Sequence, residues 1–390
     1  MKTVSLPVAF MPLVDAAPLI AAQEMGFAEA EGLTLDLVSA PSWSSVRDML
    51  AFGRVDAAHL LSPVPIAMAL GLGGVTTGLS AVSVLSVNGN VIGVSRALEA
   101  RLRADGHPFD FANAAAAGAA LARVAGDGLT IGVPFPFSMH VELLHVWCAA
   151  TPLSDIRITI RTVPPPLMAQ ALAAGEIDAF CVGEPWGSVS VEANAGALLL
   201  PGAAIWAFAP EKVLATRTEW AETEPHLLER MMRAVWRAGR WLAQPDSRTA
   251  AAEMLSRRAW LDLPSEVIDR ALSGNLMVSA TGEVRTVPGF LEFHRGAANF
   301  PWRSQAKWIG GQIARRSGLD PASSMQRAGG VFRSDLYRVA MGAAGADLPG
   351  ASEKLEGSLA HETPVASGTG RLILERDEFF DGRIFDPSGN

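Results

Sequence analysis

The sequence is poor in cysteine: Cys148 and Cys181 are the only two in 390 residues, 33 positions apart. That spacing offers neither a CxxC pair nor a Cys/His ligand pattern, so it excludes a disulfide framework, argues against structural zinc and fits a reducing compartment. Basic runs are missing as well. The formal net charge is −8, which speaks against direct nucleic-acid binding, because phosphate recognition needs a basic stripe. No G-x-x-x-x-G-K-[ST] occurs, so the chain is not expected to hydrolyse ATP itself. Long apolar runs are also lacking: the window 57–75 contains His59, Pro63 and Pro65, and the Ala-rich stretch 112–125 contains Asn113 and Arg123. Neither would span a bilayer. The opening MKTVSLPVAFMPLVDAAPLIAAQ has one lysine and is broken by Pro7, Pro12 and Asp15, unlike the basic and then apolar regions of a secretory signal. These absences lead to the expectation of a cytoplasmic protein without membrane insertion.

What is present is apolar material for two or three domains, 49% hydrophobic against 18% charged residues, and a repeat. MLAFGRVDAAHLLSPVP (49–65) and ALAAGEIDAFCVGEPWG (171–187) coincide when shifted by 122 positions, which superposes Leu50 on Leu172, Gly53 on Gly175, Asp56 on Asp178, Ala57 on Ala179 and Pro63 on Pro185. Around the first copy, alternation and Gly/Pro punctuation predict a strand at 4–10, a helix at 14–25, a strand at 33–40, a helix at 43–52 and a strand from Val55. Around the second copy the same order recurs: strand 129–133, helix 138–150, strand 156–163, helix 166–174 and a strand from Ile177. Each half reads as a parallel βαβαβ unit. Helix-stop-strand chemistry could produce the short echo alone; five elements in the same order favour two homologous α/β lobes.

A chain that crosses between lobes at 86–95 and returns at 196–215 implies a discontinuous first lobe, 1–88 plus 205–316, and a second lobe, 89–204. The segment 96–125 reads as a polar, Ala-rich connector. Helices are expected at 219–243, 246–258, 264–272 and 300–316, followed by an extension, 317–390, with one short helical candidate in RSDLYRVAMGAAG. The extension either packs on the core or docks a partner. Two such lobes place a ligand cleft between the carboxyl ends of their strands. Helix starts at FMPLVDAAP and VPFPFSMH would turn backbone N–H groups into it, which favours an anion.

Candidate chemistry is sparse. His140 and His145 stand five apart, off the shared helical face of a metal-binding pair, so no metal is expected. Asp178 has its counterpart in Asp56 and reads as the closure of a turn. Glu184, at a strand end before Pro185, could orient a site from behind. Cys181 has no obvious His/Asp partner and reads as a small buried hydrophobe. Lys212 stands out because only four of the 32 basic residues are lysines, at 2, 212, 307 and 354, and a compact ammonium suits a small anion better than a planar guanidinium does.

The strings FMPLVDAAPLI, SWSSVRDMLAFGRVDAAHLLSP, VPPPLMAQALAAGEIDAFCVGEPW, PEKVLATR and LSRRAW resemble the nitrate- and bicarbonate-binding branch of the ABC-transporter solute-binding proteins, over residues 1–316. The resemblance implies a type II periplasmic-binding-protein-like fold with two α/β lobes and no enzymatic activity or cofactor. An enzyme on this fold would typically show a cysteine-rich iron motif, which is lacking. The resemblance also implies an anion site made by Trp43, Asn90, His140 and Lys212. Asn90 stands where the transporter proteins carry glutamine. Each residue has a structural alternative: Trp43 as a helix staple, His140 as a helix-start cap and Lys212 as a solvated surface charge. The missing export signal, with RSDLYR and FFDGRIFDP in the extension, resembles the cytoplasmic nitrate/nitrite sensors of this branch. Such a sensor holds an ANTAR-type RNA-binding antiterminator when empty and releases it when nitrate or nitrite binds. The alternative is the substrate-binding component of an ABC transporter for nitrate, nitrite or bicarbonate.

Overall fold

The computed structural model describes residues 3–389. In chain order the strands are β1 (Val4–Phe10), β2 (Leu33–Ser39), β3 (Ala57–Leu61), β4 (Leu79–Asn88), β5 (Asn90–Ser95), β6 (Leu129–Val133), β7 (Ile158–Thr162), β8 (Ala179–Gly183), β9 (Gly196–Pro201), β10 (Pro210–Arg217), β11 (Asn275–Met277), β12 (Val284–Thr286), β13 (Leu291–Glu292) and, paired with each other in the extension, β14 (Thr363–Pro364) and β15 (Ile373–Leu374). They form a six-stranded sheet in the order β13-β4-β10-β3-β1-β2 and a five-stranded sheet in the order β7-β6-β8-β5-β9; β11 and β12 pair as a hairpin.

The repeat in the sequence is a repeat in the sheets. In each, three parallel strands, β2-β1-β3 and β7-β6-β8, are extended by two antiparallel ones, β10-β4 and β5-β9. The echoed alanines start the equivalent pairings: Ala57 lies opposite Val8, and Ala179 opposite Ile131. The central strands β3 and β8 are buried along their whole length, as expected for strands covered on both faces, whereas the edge strand β2 alternates buried and exposed positions over its first four residues. The chain leaves the first sheet through Asn88 and Gly89, both at positive φ, and enters the second at Asn90. A Cβ on Gly89 would come within 2.7 Å of Leu291 Cδ1, so this crossing suits glycine for space as well as for conformation.

Several elements differ from the sequence reading. The 96–125 connector is two helices, Arg96–Ala104 and Ala114–Val124, capped by Ser95 and Asn113. Its alanine-rich composition carries weak apolar periodicity, and the capping residues were the better signal. Helices Pro63–Ala69 and Trp186–Glu192 start beside the echoed prolines and have only seven residues each, too short for a periodic face to register. The extension holds two helices, Pro321–Gly329 and Ser334–Gly342. Its later part is tied to the core by Phe379, which stacks on Trp206 with 4.7 Å between ring centroids and lies 5.6 Å from Trp308. No helix among the described residues is long and apolar enough to cross a membrane.

Candidate functional site

Trp43, Asn90, His140 and Lys212 converge between the two sheets, all nearly inaccessible to solvent. Local sequence places two of them. Ser42 caps the helix Trp43–Ala51 by accepting from Ser45 N (3.2 Å), and Ser138 caps the helix Met139–Ala149 by accepting from Val141 N (3.4 Å), which puts Trp43 and His140 in the first turns of their helices. Lys212 lies on β10. Successive residues of a regular strand point to opposite faces, yet Glu211 and Lys212 touch, Oε1 to Nζ at 2.9 Å. The pairing of β10 with β4 slips between Pro210 and Lys212 and again before Val213, and this local irregularity brings both charged ends together.

The core of the site is a buried ion cluster. Lys212 Nζ lies 2.7 Å from Asp15 Oδ2 and 2.9 Å from Glu211 Oε1, and 5.4 Å from the centre of the Trp43 ring. Asp15 Oδ1 also meets His59 Nε2 at 3.0 Å, while His59 Nδ1 accepts from Met11 N. From the second sheet, Asn90 Nδ2 donates to Glu211 Oε2 (2.8 Å), and His140 Nδ1 stands 3.4 Å from Glu211 Oε1.

Burial pushes each of these groups toward its neutral form, and the neighbours decide which ones yield. Burial alone would raise Asp15, but the Lys212 ammonium and the His59 ring beside it bring it down to about 2, while burial holds His59 itself below its ordinary value. Burial would lower Lys212, yet Asp15 and Glu211 hold it above its ordinary value, so it is a firm cation. Glu211 is raised by burial against the pull of Lys212. His140 is held well below its ordinary value by burial and then by the Lys212 charge, and is a neutral imidazole. Trp43 Nε1, Asn90 Oδ1 and both ring nitrogens of His140 are buried without a hydrogen-bond partner. Buried polar atoms are normally hydrogen-bonded, so these four, drawn from both lobes, mark the locus as the candidate site.

Three members of the cluster were not singled out from the sequence as site residues. Asp15 follows β1 in a turn assigned to helix N–H groups, His59 registered only as a break in an apolar window, and Glu211 was passed over beside Lys212. An acidic residue in the turn after the first strand was the available signal. Glu184, expected to support the site, accepts through Oε2 from Ser188 N (3.2 Å) at the start of the helix Trp186–Glu192, its Oε1 is buried without a hydrogen-bond partner, and burial raises it to about 7. Asp178 closes a turn, accepting from Thr130 N at 2.8 Å. Cys181 is buried, and burial pushes its thiol far up.

Direct bonds across the lobes shut the cluster in. Val14 N donates to Glu184 O (3.0 Å), Trp186 Nε1 donates to Pro12 O (3.1 Å), and Glu142 pairs with Arg316. A cavity of about 390 Å³ lies elsewhere, beside Phe111 and Pro201, but the Arg295 that lines it is already paired with Glu292, Glu362 and Glu375.

The NMT1-like family matches residues 1–256. The chain belongs to the NMT1-like family. Among the relatives of this NMT1-like protein, the nitrate import ATP-binding protein NrtC of Synechocystis sp. is 31% identical over 86% of this chain; the match spans about half of NrtC. The nitrate/nitrite binding protein NrtA of Nostoc sp. is 28% identical over 99% of this chain and 84% of its own length. The crystal structure of the periplasmic nitrate-binding protein NrtA from Synechocystis superposes with a TM-score of 0.83 at 26% identity, over 99% of this chain and 96% of that one. This NMT1-like protein therefore has the two-lobed α/β fold of the binding proteins. The extension 317–390 lies almost wholly within the part shared with NrtA.

Proposed function

We propose that this protein binds nitrate or nitrite in the cluster between its lobes, as the substrate-binding component of an ABC importer. The observation that carries this reading is the set of donors drawn from both lobes around one buried cation: the unpaired Trp43 Nε1 and His140 ring beside Lys212. Nitrate and nitrite are small planar monoanions, and a ligand held from both lobes stabilises the closed form by its extra affinity for that form. The names of the relatives point the same way. Calorimetric titration of the purified protein with nitrate, nitrite and bicarbonate tests it. Saturable binding of nitrate or nitrite is expected; binding of bicarbonate alone would reassign the ligand, and no binding of any of the three would end the reading.

A second reading is a cytoplasmic sensor in which closure displaces an ANTAR-type RNA-binding antiterminator. The acidic net charge favours an output passed through a partner protein rather than through RNA contacts of this chain, and linkage requires that a partner preferring the open form be weakened by the anion. The extension does not favour a sensor over an importer component, because NrtA shares it. Gel filtration of the two proteins with and without millimolar nitrate separates the readings: a complex that comes apart in nitrate supports the sensor, and indifference leaves the importer component.

A further inference from the structure

If the cluster is the anion site proposed above, its charge count sets a condition on the ligand. Two carboxylates, Asp15 and Glu211, contact one ammonium, Lys212, and none of the three is more than 2% exposed. With both acids ionised the cluster already sums to −1, and a monovalent anion would bring a second uncompensated negative charge into a water-poor space, where like charges repel strongly.

The surrounding groups narrow down what can offset that charge. Lys212 is already a cation. Asp15 faces both Lys212 and His59 and is held ionised. His59 uses Nδ1 to accept from Met11 N and presents Nε2 to Asp15, so a second ring proton would displace a backbone bond. On β8, the Cys181 thiol keeps its own proton; beyond it, Glu184 is turned to Ser188. There remain Glu211 and His140, from opposite lobes, with Oε1 and Nδ1 3.4 Å apart and both imidazole nitrogens unpaired. Gly183 lets Leu13 close in on that ring: a Cβ there would meet Leu13 Cδ2 at 2.7 Å, with Asp15 Oδ2 at 3.6 Å and His140 Nε2 at 3.9 Å.

We propose that the site takes its anion together with one proton, held between Glu211 Oε1 and His140 Nδ1. The proton comes from solvent, cancels the charge of the ligand, and frees His140 Nε2–H to donate to an anion oxygen. Affinity is then full below the pKa of the Glu211–His140 pair and lost as pH rises through it.

Nitrate titrations of the full chain from pH 6 to 9.5, each in two buffers of different ionisation enthalpy, test this. The expected result is a Kd that rises about tenfold per pH unit toward the alkaline end, with close to one proton taken up per nitrate there. Glu211→Gln, which removes the charge at constant size, should bind nitrate at pH 9 at least as tightly as the native protein and with little pH dependence. A native Kd that is flat across the range, with heats independent of buffer, overturns the co-bound proton while leaving the anion site intact. Absence of nitrate binding at every pH overturns the anion site itself, and the proton with it.

Discussion

Lys212 in the cleft, fully buried, and Lys354 in the C-terminal extension, half-buried, each sit between two buried carboxylates, and both face an indole, Trp43 at 5.4 Å and Trp302 at 5.8 Å. Lys354 Nζ meets Glu356 at 2.6 Å and also Asp377. Around Lys354 the acceptors are answered: Ser304 Oγ donates to Glu356 Oε1 (2.6 Å), Leu359 N donates to Asp377 Oδ1 (2.8 Å), and of the surrounding side chains only Trp302 Nε1 is unpaired. Around Lys212 the indole N–H, a whole imidazole and an amide oxygen lack partners. A lysine between two acids serves as a staple where its neighbours are satisfied, here joining Glu356 to Asp377 within the extension, while Ser304 of the helix Arg303–Ser317 donates to Glu356 and accepts from Lys354 N. The same arrangement is a candidate site where polar groups from two lobes are left incomplete.

Three substitutions bear on this contrast. Lys354→Ala leaves two buried carboxylates without a cation and should cost about 3–5 kcal/mol of stability, read from the denaturant midpoint. The folded fraction should keep its nitrate affinity; a parallel loss of affinity would break the distinction between the clusters. Lys212→Ala also unpairs two acids and will destabilise, but its distinguishing effect is on nitrate. Loss of a charged hydrogen bond of about 1.5–3 kcal/mol lowers affinity roughly tenfold to hundredfold by calorimetry. Unchanged affinity would remove Lys212 from the site. Trp43→Phe keeps the ring and deletes the donor, so nitrate binding should weaken by only about 0.5–1.5 kcal/mol. A loss as large as that of Lys212→Ala would mean that Trp43 shapes the cleft rather than donating to the anion.

Much of the fold was legible because it is encoded locally. The helices after Ser42 and Ser138 announce themselves by their caps, and the near-continuous apolar runs of the central strands, AAHLL and AFCVG, announce burial on both faces. The same locality put Trp43 and His140 at helix starts, but their part in an anion site came only from the family resemblance. Short helices at Pro63 and Trp186 escaped, since seven residues do not establish a period. Asn90 was legible as a polar residue at the crossing, but not its engagement with Glu211, 121 positions away.

The sequence by itself determined the doubled βαβαβ order, the two crossings and the local placement of Trp43 and His140, because capping, alternation and Gly/Pro breaks act over a few residues. Tertiary structure alone decided which acids accompany the lysine. Asp15 reaches Lys212 only because β10 is laid against β3 and β3 against β1. The dipeptide Glu-Lys occurs at 211–212 and again at 353–354. In the first, a slipped register in β10 folds the carboxylate onto its own neighbour at 2.9 Å. In the second, Glu353 turns to Lys307, also at 2.9 Å, and Lys354 takes Glu356 and Asp377 instead. The two letters are the same; pairing between distant segments is set by backbone register and burial, which no local stretch of sequence contains.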